Sequence, residues 1–184
     1  MPDMNSPIYK EIQPSVLECF KNELETVSGY CTVCKSKENL AEQLKQYLNN
    51  NNIDSFFCKD SQIISFLDNN KIPHTADKKS FEPMHAGLTG CEFLVARTGS
   101  VVISSQGESG RQMNIFPPKH IVIAKKEQLV EYPVDALEAL QKKYGENLPS
   151  LISLVSGPSR TADIEKTLVL GAHGPKELHV FIYE

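Results

Sequence analysis

Between Pro14 and Leu67 the chain alternates helical and strand-like patterns, and this alternation restricts the fold more than any other feature. From Pro14 to Ser28 the apolar residues Val16, Leu17, Phe20, Leu24 and Val27 recur at helical spacing. Pro14 suits a first turn, and Gly29 suits the stop. Tyr30-Cys31-Thr32-Val33-Cys34 is β-prone and predicts the first core strand. Ser36 is placed to cap a helix with Leu40, Leu44, Tyr47 and Leu48 on one stripe, ended by the Asn49–Asn52 run. Ile53 to Cys58 predicts a second strand, and Asp60 a cap for a third helix with Ile63, Ile64 and Leu67 inward. Helix, strand, helix, strand, helix in that order points to parallel strands joined by right-handed crossovers. The class is therefore α/β: an open, mostly parallel, Rossmann-like sheet flanked by helices.

The middle of the chain breaks the rhythm. Lys71 to His85 carries Pro73 and Pro83 and reads as a surface connection, and Gly87 to Gly90 reads as a turn. Cys91 to Ala96 and Val101 to Ser104 are β-prone runs on either side of Thr98-Gly99, which predicts a local antiparallel hairpin. Ser105 to Phe116 looks like an exposed loop. Pro117-Pro118 leads into a strand at Ile121–Ala124. Helical patterns follow near Lys126–Glu131 and over Val134–Tyr144, and Leu178–Tyr183 supplies a final strand.

The stretch with most chemistry is Leu151 to Pro175. Its apolar start, Leu151 to Val155, predicts a buried strand that breaks at Ser156-Gly157-Pro158. Ser159-Arg160-Thr161-Ala162-Asp163 then predicts the start of a short helix. Strand, small-residue turn and helix N-terminus aim free backbone N–H groups at an anion, with the Arg160 guanidinium as a further donor. Plain helix capping by Ser159 or Thr161, with Asp163 and Glu165 facing the helix dipole, explains the same residues equally well. Asp163 and Glu165 would repel a bare triphosphate, so a carboxylate, a single phosphate or a polar substrate fits better. Arg111 of the middle loop could approach the same face, although a solvated surface arginine is the simpler reading.

Composition narrows the partners. Nineteen basic against twenty-three acidic residues give a net charge of −4, with no basic stripe to engage nucleic acid. No apolar run approaches the roughly 18 residues that span a bilayer. Five cysteines, an odd number, suggest reduced thiols and a cytoplasmic location. Cys31 and Cys34 have the spacing of a redox or zinc half-site, but no second pair completes a metal site, and the motif lies in a strand pattern. Packing is the better reading for them and for Cys19, Cys58 and Cys91. Of the five histidines, His120 and His179 belong to apolar strand segments and read as structural. His173, in the loop Gly171 to Pro175, is the one placed for a site.

Ser156-Gly-Pro-Ser-Arg-Thr-Ala-Asp-Ile-Glu165, followed by Gly171-Ala-His-Gly-Pro175, resembles the lactate utilization protein C family and its LUD domain. Gly87-Leu-Thr-Gly90, Ala96-Arg-Thr-Gly-Ser100, Arg111 and Pro117-Pro118-Lys119-His120-Ile121 resemble that family's middle signatures in order. The resemblance implies a fold of the NagB/RpiA/CoA-transferase-like type. It implies a single LUD domain over 14–184, and the polar, turn-rich residues 1–13 read as a flexible arm before it. It also implies a cytoplasmic component of a system oxidising L-lactate to pyruvate, beside iron–sulfur partner proteins that carry the clusters. The chain itself encodes no recognisable cofactor or metal site, and its sequence leaves a homo-oligomer open. A small anionic ligand is expected at Gly157, Ser159, Arg160, Thr161 and Asp163, with His173, Gly174, Thr98, Gly99 and Arg111 beside it. If the chain is catalytic, Arg160, Asp163 and His173 are the residues to carry the reaction. The alternative is a stand-alone enzyme acting on a phosphate- or acyl-containing small molecule. Arg97 departs from the family, which usually has an acidic residue there.

Overall fold

Three helices begin where a short polar side chain meets the first unpaired backbone N–H groups. Ser15 caps α1 (Val16–Thr26), Ser36 caps α2 (Lys37–Asn50) and Asp60 caps α3 (Ser61–Asn69). The fourth, α4 (Pro133–Tyr144), starts on Pro133, whose fixed φ suits the first turn. The computed structural model describes residues 11–77, 84–108, 117–161, 169–171 and 174–184.

Five strands form a parallel sheet: β1 (Tyr30–Cys34), β2 (Phe57–Cys58), β3 (Ala86–Thr89), β6 (Lys119–Lys125) and β11 (Glu177–Tyr183). Their order is β1-β11-β6-β3-β2, with β6 paired to β11 along all seven residues. A second, mixed sheet holds β4 (Phe93–Val95), β5 (Ser100–Ser104), β7 (Leu129–Val130) and β8 (Ile152–Val155), in the order β7-β4-β5-β8. A two-stranded ribbon pairs β9 (Arg160–Thr161) with β10 (Val169–Leu170). The α/β class and the antiparallel hairpin β4–β5 are as the sequence indicates.

Strand alternation distributes the core. Ile121, Ile123 and Phe181 face α2 and α3 and pack with Leu40, Leu44, Leu48, Ile63 and Leu67. Val122, Ala124, Leu178, Val180 and Ile182 face the other way, onto Phe20 and Leu24 of α1 and Leu94, Val101 and Ile103 of the mixed sheet. Ala136 and Leu140 of α4 close the far side on Val95 and Val102. The layers therefore run α2 and α3, parallel sheet, α1 with the mixed sheet, then α4.

Several boundaries differ from the sequence reading, each for a local reason. Gly87 to Thr89 is not a turn but part of β3, buried between β6 and β2, where small residues fit an interior strand. Tyr30–Cys34 is an edge strand, which leaves Tyr30 55% exposed. Leu151–Val155 is likewise an edge, with Leu154 43% exposed. Only Phe57–Cys58 of the second predicted strand is paired. The helical pattern after Lys125 is a single 3-10 turn at Lys126–Gln128, followed by β7. Arg160 and Thr161 do not open a helix, because they ladder with Leu170 and Val169; residues 162–168 lie outside the described residues. Ser28, at φ 65°, takes the left-handed position expected of Gly29. Gly29 is small for another reason: a Cβ there would stand 2.4 Å from Leu24 Cδ1.

His120 lies on β6 and is 1% exposed, with Nε2 2.9 Å from Thr89 Oγ1 and Nδ1 without a hydrogen-bond partner. Burial pushes its pKa down to about 4, and burial does the same to His179. Unfolded histidine titrates near 6.5, so between pH 4 and 6.5 the unfolded chain holds more protons. Stability is then full above about pH 6.5 and falls as the pH drops toward 4, by roughly 1.4 kcal/mol per pH unit for His120. Urea midpoints at neutral and mildly acidic pH measure this loss. In His120→Asn the loss shrinks, and an unchanged pH dependence in that variant contradicts the assignment.

Candidate functional site

The signature residues gather around the last turn of α1. Helix C-termini leave carbonyls without partners, and Val27, the C-cap of α1, has such a carbonyl. The Arg160 guanidinium donates to it through Nη2 at 2.5 Å, as cationic side chains do at helix ends. Gly157 packs on the same carbonyl with φ 74°, and a Cβ there would come within 2.3 Å of Val27 O. From the other side Gly99, φ 56°, lies against the α1 backbone, where a Cβ would stand 2.3 Å from Leu24 N. Both glycines answer a close backbone approach in a left-handed conformation, which other residues meet only with strain.

Hydroxyls link the two loops. Ser100 Oγ donates to Thr98 Oγ1 at 2.7 Å and lies 2.6 Å from Ser156 Oγ. This chain bridges the neighbouring ends of β5 and β8. Ser159 N donates to Pro175 O at 2.8 Å, and Gly171 N donates to Ser159 O at 2.9 Å. Gly174 is held close to Ser159, whose Cβ would be 3.0 Å from an added methyl. Thr98, Gly99, Gly157, Ser159, Arg160 and Gly174 are thus brought together, at the edge of the parallel sheet where β1 and β11 begin. Thr161 follows directly in β9. Asp163, His173 and Arg111 lie outside the described residues. Arg97 Nη1 stands 3.6 Å from Glu23 Oε1 of α1, a half-exposed ion pair that fastens the same helix.

The thiols are packing groups. Burial pushes Cys31 up to about 12 and Cys34 up to about 11, far from the depressed values of reactive cysteines. Among the described residues no three His, Cys, Asp or Glu side chains converge as metal ligands. No helix among them is long and apolar enough to cross a membrane.

A second polar cluster went unseen in the sequence. Lys37, Asp60, Gly90, Lys125 and Tyr183 line a crevice of about 230 Å³ at the opposite edge of the parallel sheet. Each stands just past a parallel strand or at its last residues, so the usable signal was position relative to strand ends.

Over residues 17–183 the sequence matches the LUD domain. The chain belongs to the LUD-domain family. Among curated relatives, the LUD-domain protein is 32% identical over 157 residues to lactate utilization protein C 1 of Bacillus mycoides. That alignment covers 76% of this chain and 67% of the relative. Lactate utilization protein C of Bacillus subtilis is 35% identical over 99 residues, covering 53% of this chain and 41% of the relative. An uncharacterized protein of Neisseria meningitidis is 36% identical over 98 residues, covering 53% of this chain and 42% of the relative. The LUD-domain protein therefore spans only part of each relative's length. Its fold matches the crystal structure of a DUF162 family protein from Deinococcus radiodurans with a TM-score of 0.70. That match covers 95% of this chain and 100% of the other at 18% identity.

Gly157→Ala should lower the stability of the LUD-domain protein by about 1–3 kcal/mol through backbone strain, with the clash on Val27 O added. Gly107→Ala is the control, since a Cβ there meets only Ser104 O at 3.5 Å; it should shift stability by less than about 0.5 kcal/mol. Equal melting temperatures for the two variants would show that the clasp on α1 carries no stability.

Proposed function

We propose that this protein serves lactate utilization, as a cytoplasmic component of a system that oxidises L-lactate to pyruvate beside iron–sulfur partner proteins. The observation that carries this reading is the 32% identity to lactate utilization protein C 1 across 76% of the chain. The small anionic ligand is assigned to Gly157–Asp163. Supporting it, Val27 O anchors one nitrogen of the exposed Arg160 guanidinium, which leaves further N–H donors of a rigid fork. Such a fork matches a carboxylate in a bidentate pair. In the hydroxyl chain Ser100 spends its proton on Thr98 and Ser156 donates to Ser100, so the Thr98 hydroxyl is the neutral donor left over.

Removal of the gene is expected to abolish growth on L-lactate as sole carbon source, and the wild-type chain is expected to restore it. Arg160→Lys keeps the charge and loses the fork, so it should restore growth poorly while accumulating to wild-type levels. Normal growth of the deletion strain on L-lactate would sink the proposal. Full rescue by Arg160→Lys would remove the guanidinium from the ligand site.

A further inference from the structure

In an open parallel sheet, ligands bind in the crevice beyond the carboxyl ends of the strands. Here β3, β6 and β11 end on such a crevice, completed by the first turns of α2 and α3. Its floor is apolar, built from Leu40, Ile63, Phe66 and Ile123. Its rim carries Lys37 and Lys125. Among the described residues, no carboxylate lies within 4 Å of either ammonium. By contrast Lys119, Lys126 and Lys143 are each held by a carboxylate at 2.5–2.8 Å. Glu38 follows Lys37 in sequence, and Glu127 and Glu184 line the adjoining hollow with both lysines, yet none forms an ion pair with either. Two lysines without an ion pair over an apolar floor are complementary to a negative head on a carbon skeleton.

The remaining wall fits that assignment. Asp60 is the carboxylate on the crevice, and its Oδ1 already accepts from Gln62 N and Ile63 N at the start of α3. Gly90 leaves the mouth open: a Cβ there would stand 3.2 Å from Asp60 Oδ2 and 3.8 Å from Ile63 Cδ1. Cys91, whose thiol burial pushes well above its ordinary range, acts as apolar wall. A volume of about 230 Å³ equals roughly eight waters at ~30 Å³ each, which suits a small metabolite.

We propose that this crevice binds a small organic anion, with its carboxylate or phosphate head between Lys37 and Lys125 and its apolar body on Ile63 and Phe66. The site is separate from the α1 clasp. Six residue steps along β11, from Glu177 to Tyr183, put roughly 20 Å between the two edges of the sheet. It stands whether or not the chain serves lactate utilization.

The test is a titration of the full chain followed by backbone amide NMR, with phenyl phosphate, benzoate, inorganic phosphate and benzyl alcohol as probes. Phenyl phosphate or benzoate is expected to shift the amides of Gly90, Lys125 and Tyr183, and the tighter of the two identifies the head group. The double variant K37Q/K125Q should weaken that binding by at least about tenfold, two lost charge-assisted contacts being more than enough for one decade. Arg160→Ala should leave it unchanged, which separates this site from the lactate reading. Raised salt should weaken it, because the rim is exposed. Binding unchanged in the double variant overturns the proposal, as do shifts confined to Gly157–Arg160. Inorganic phosphate binding as tightly as phenyl phosphate overturns the part played by the apolar floor.

Discussion

Helix α1 is the wedge on which both sheets are assembled. Phe20 and Leu24 fill the space between Val122, Val180 and Ile182 of the parallel sheet and Leu94 and Val101 of the mixed one. A helix packed between two sheets has little room for side chains from loops that cross its end. The loops that do cross, at Gly99 and Gly157, approach through bare Cα atoms. Arg160 then supplies the hydrogen bond that the last exposed carbonyl lacks. The most distinctive stretch of the sequence is thus committed first to holding α1, and any ligand chemistry there is superimposed on a packing duty.

The two edges of the parallel sheet divide the polar residues. At the amino edge, the clasp joins the loop between β4 and β5 to the turn after β8 through Ser100 and Ser156. Beside it, Tyr47, Glu177, Lys119 and Asn51 form a closed network, with Tyr47 donating to Glu177 Oε1 and Lys119 Nζ reaching Glu177 Oε2 and Asn51 Oδ1. Such satisfied networks rigidify a fold. At the carboxyl edge, Lys37 and Lys125 remain without carboxylate partners among the described residues. The Tyr47–Glu177–Lys119 network is thus scaffold, whereas the remaining N–H groups of Arg160 at the same edge and the two lysines at the other are left for ligands.

Legibility in the sequence followed how local each cause was. Ser36 and Asp60 announce α2 and α3 because a cap acts within three residues of itself. The hairpin was readable because Gly99 sits between two short β-prone runs. β3 was not: Ala-Gly-Leu-Thr carries turn residues, and only burial between β2 and β6 makes them a strand. Exposure of Leu154 was equally hidden, since an apolar run shows no difference between a central strand and an edge. The signature around Ser156 to Arg160 could be read as important, yet its packing against Val27 lies more than a hundred positions away. The crevice draws on residues from Lys37 to Tyr183 that only the strand order assembles.

The pairing of β1 sets a schedule for making the protein. Among the described residues β1 pairs with no strand but β11, and Thr32 and His179 are 147 positions apart. Translation at 5–20 residues per second puts roughly 7–30 s between the appearance of one and the other. Through that interval the backbone of residues 30–34 has no ladder to join, and the faces of α1 and α2 that lean on β11 lack their central support. The fold is closed by one of its last strands, so a ribosome-bound chain depends on holding its early helices soluble until β11 is made.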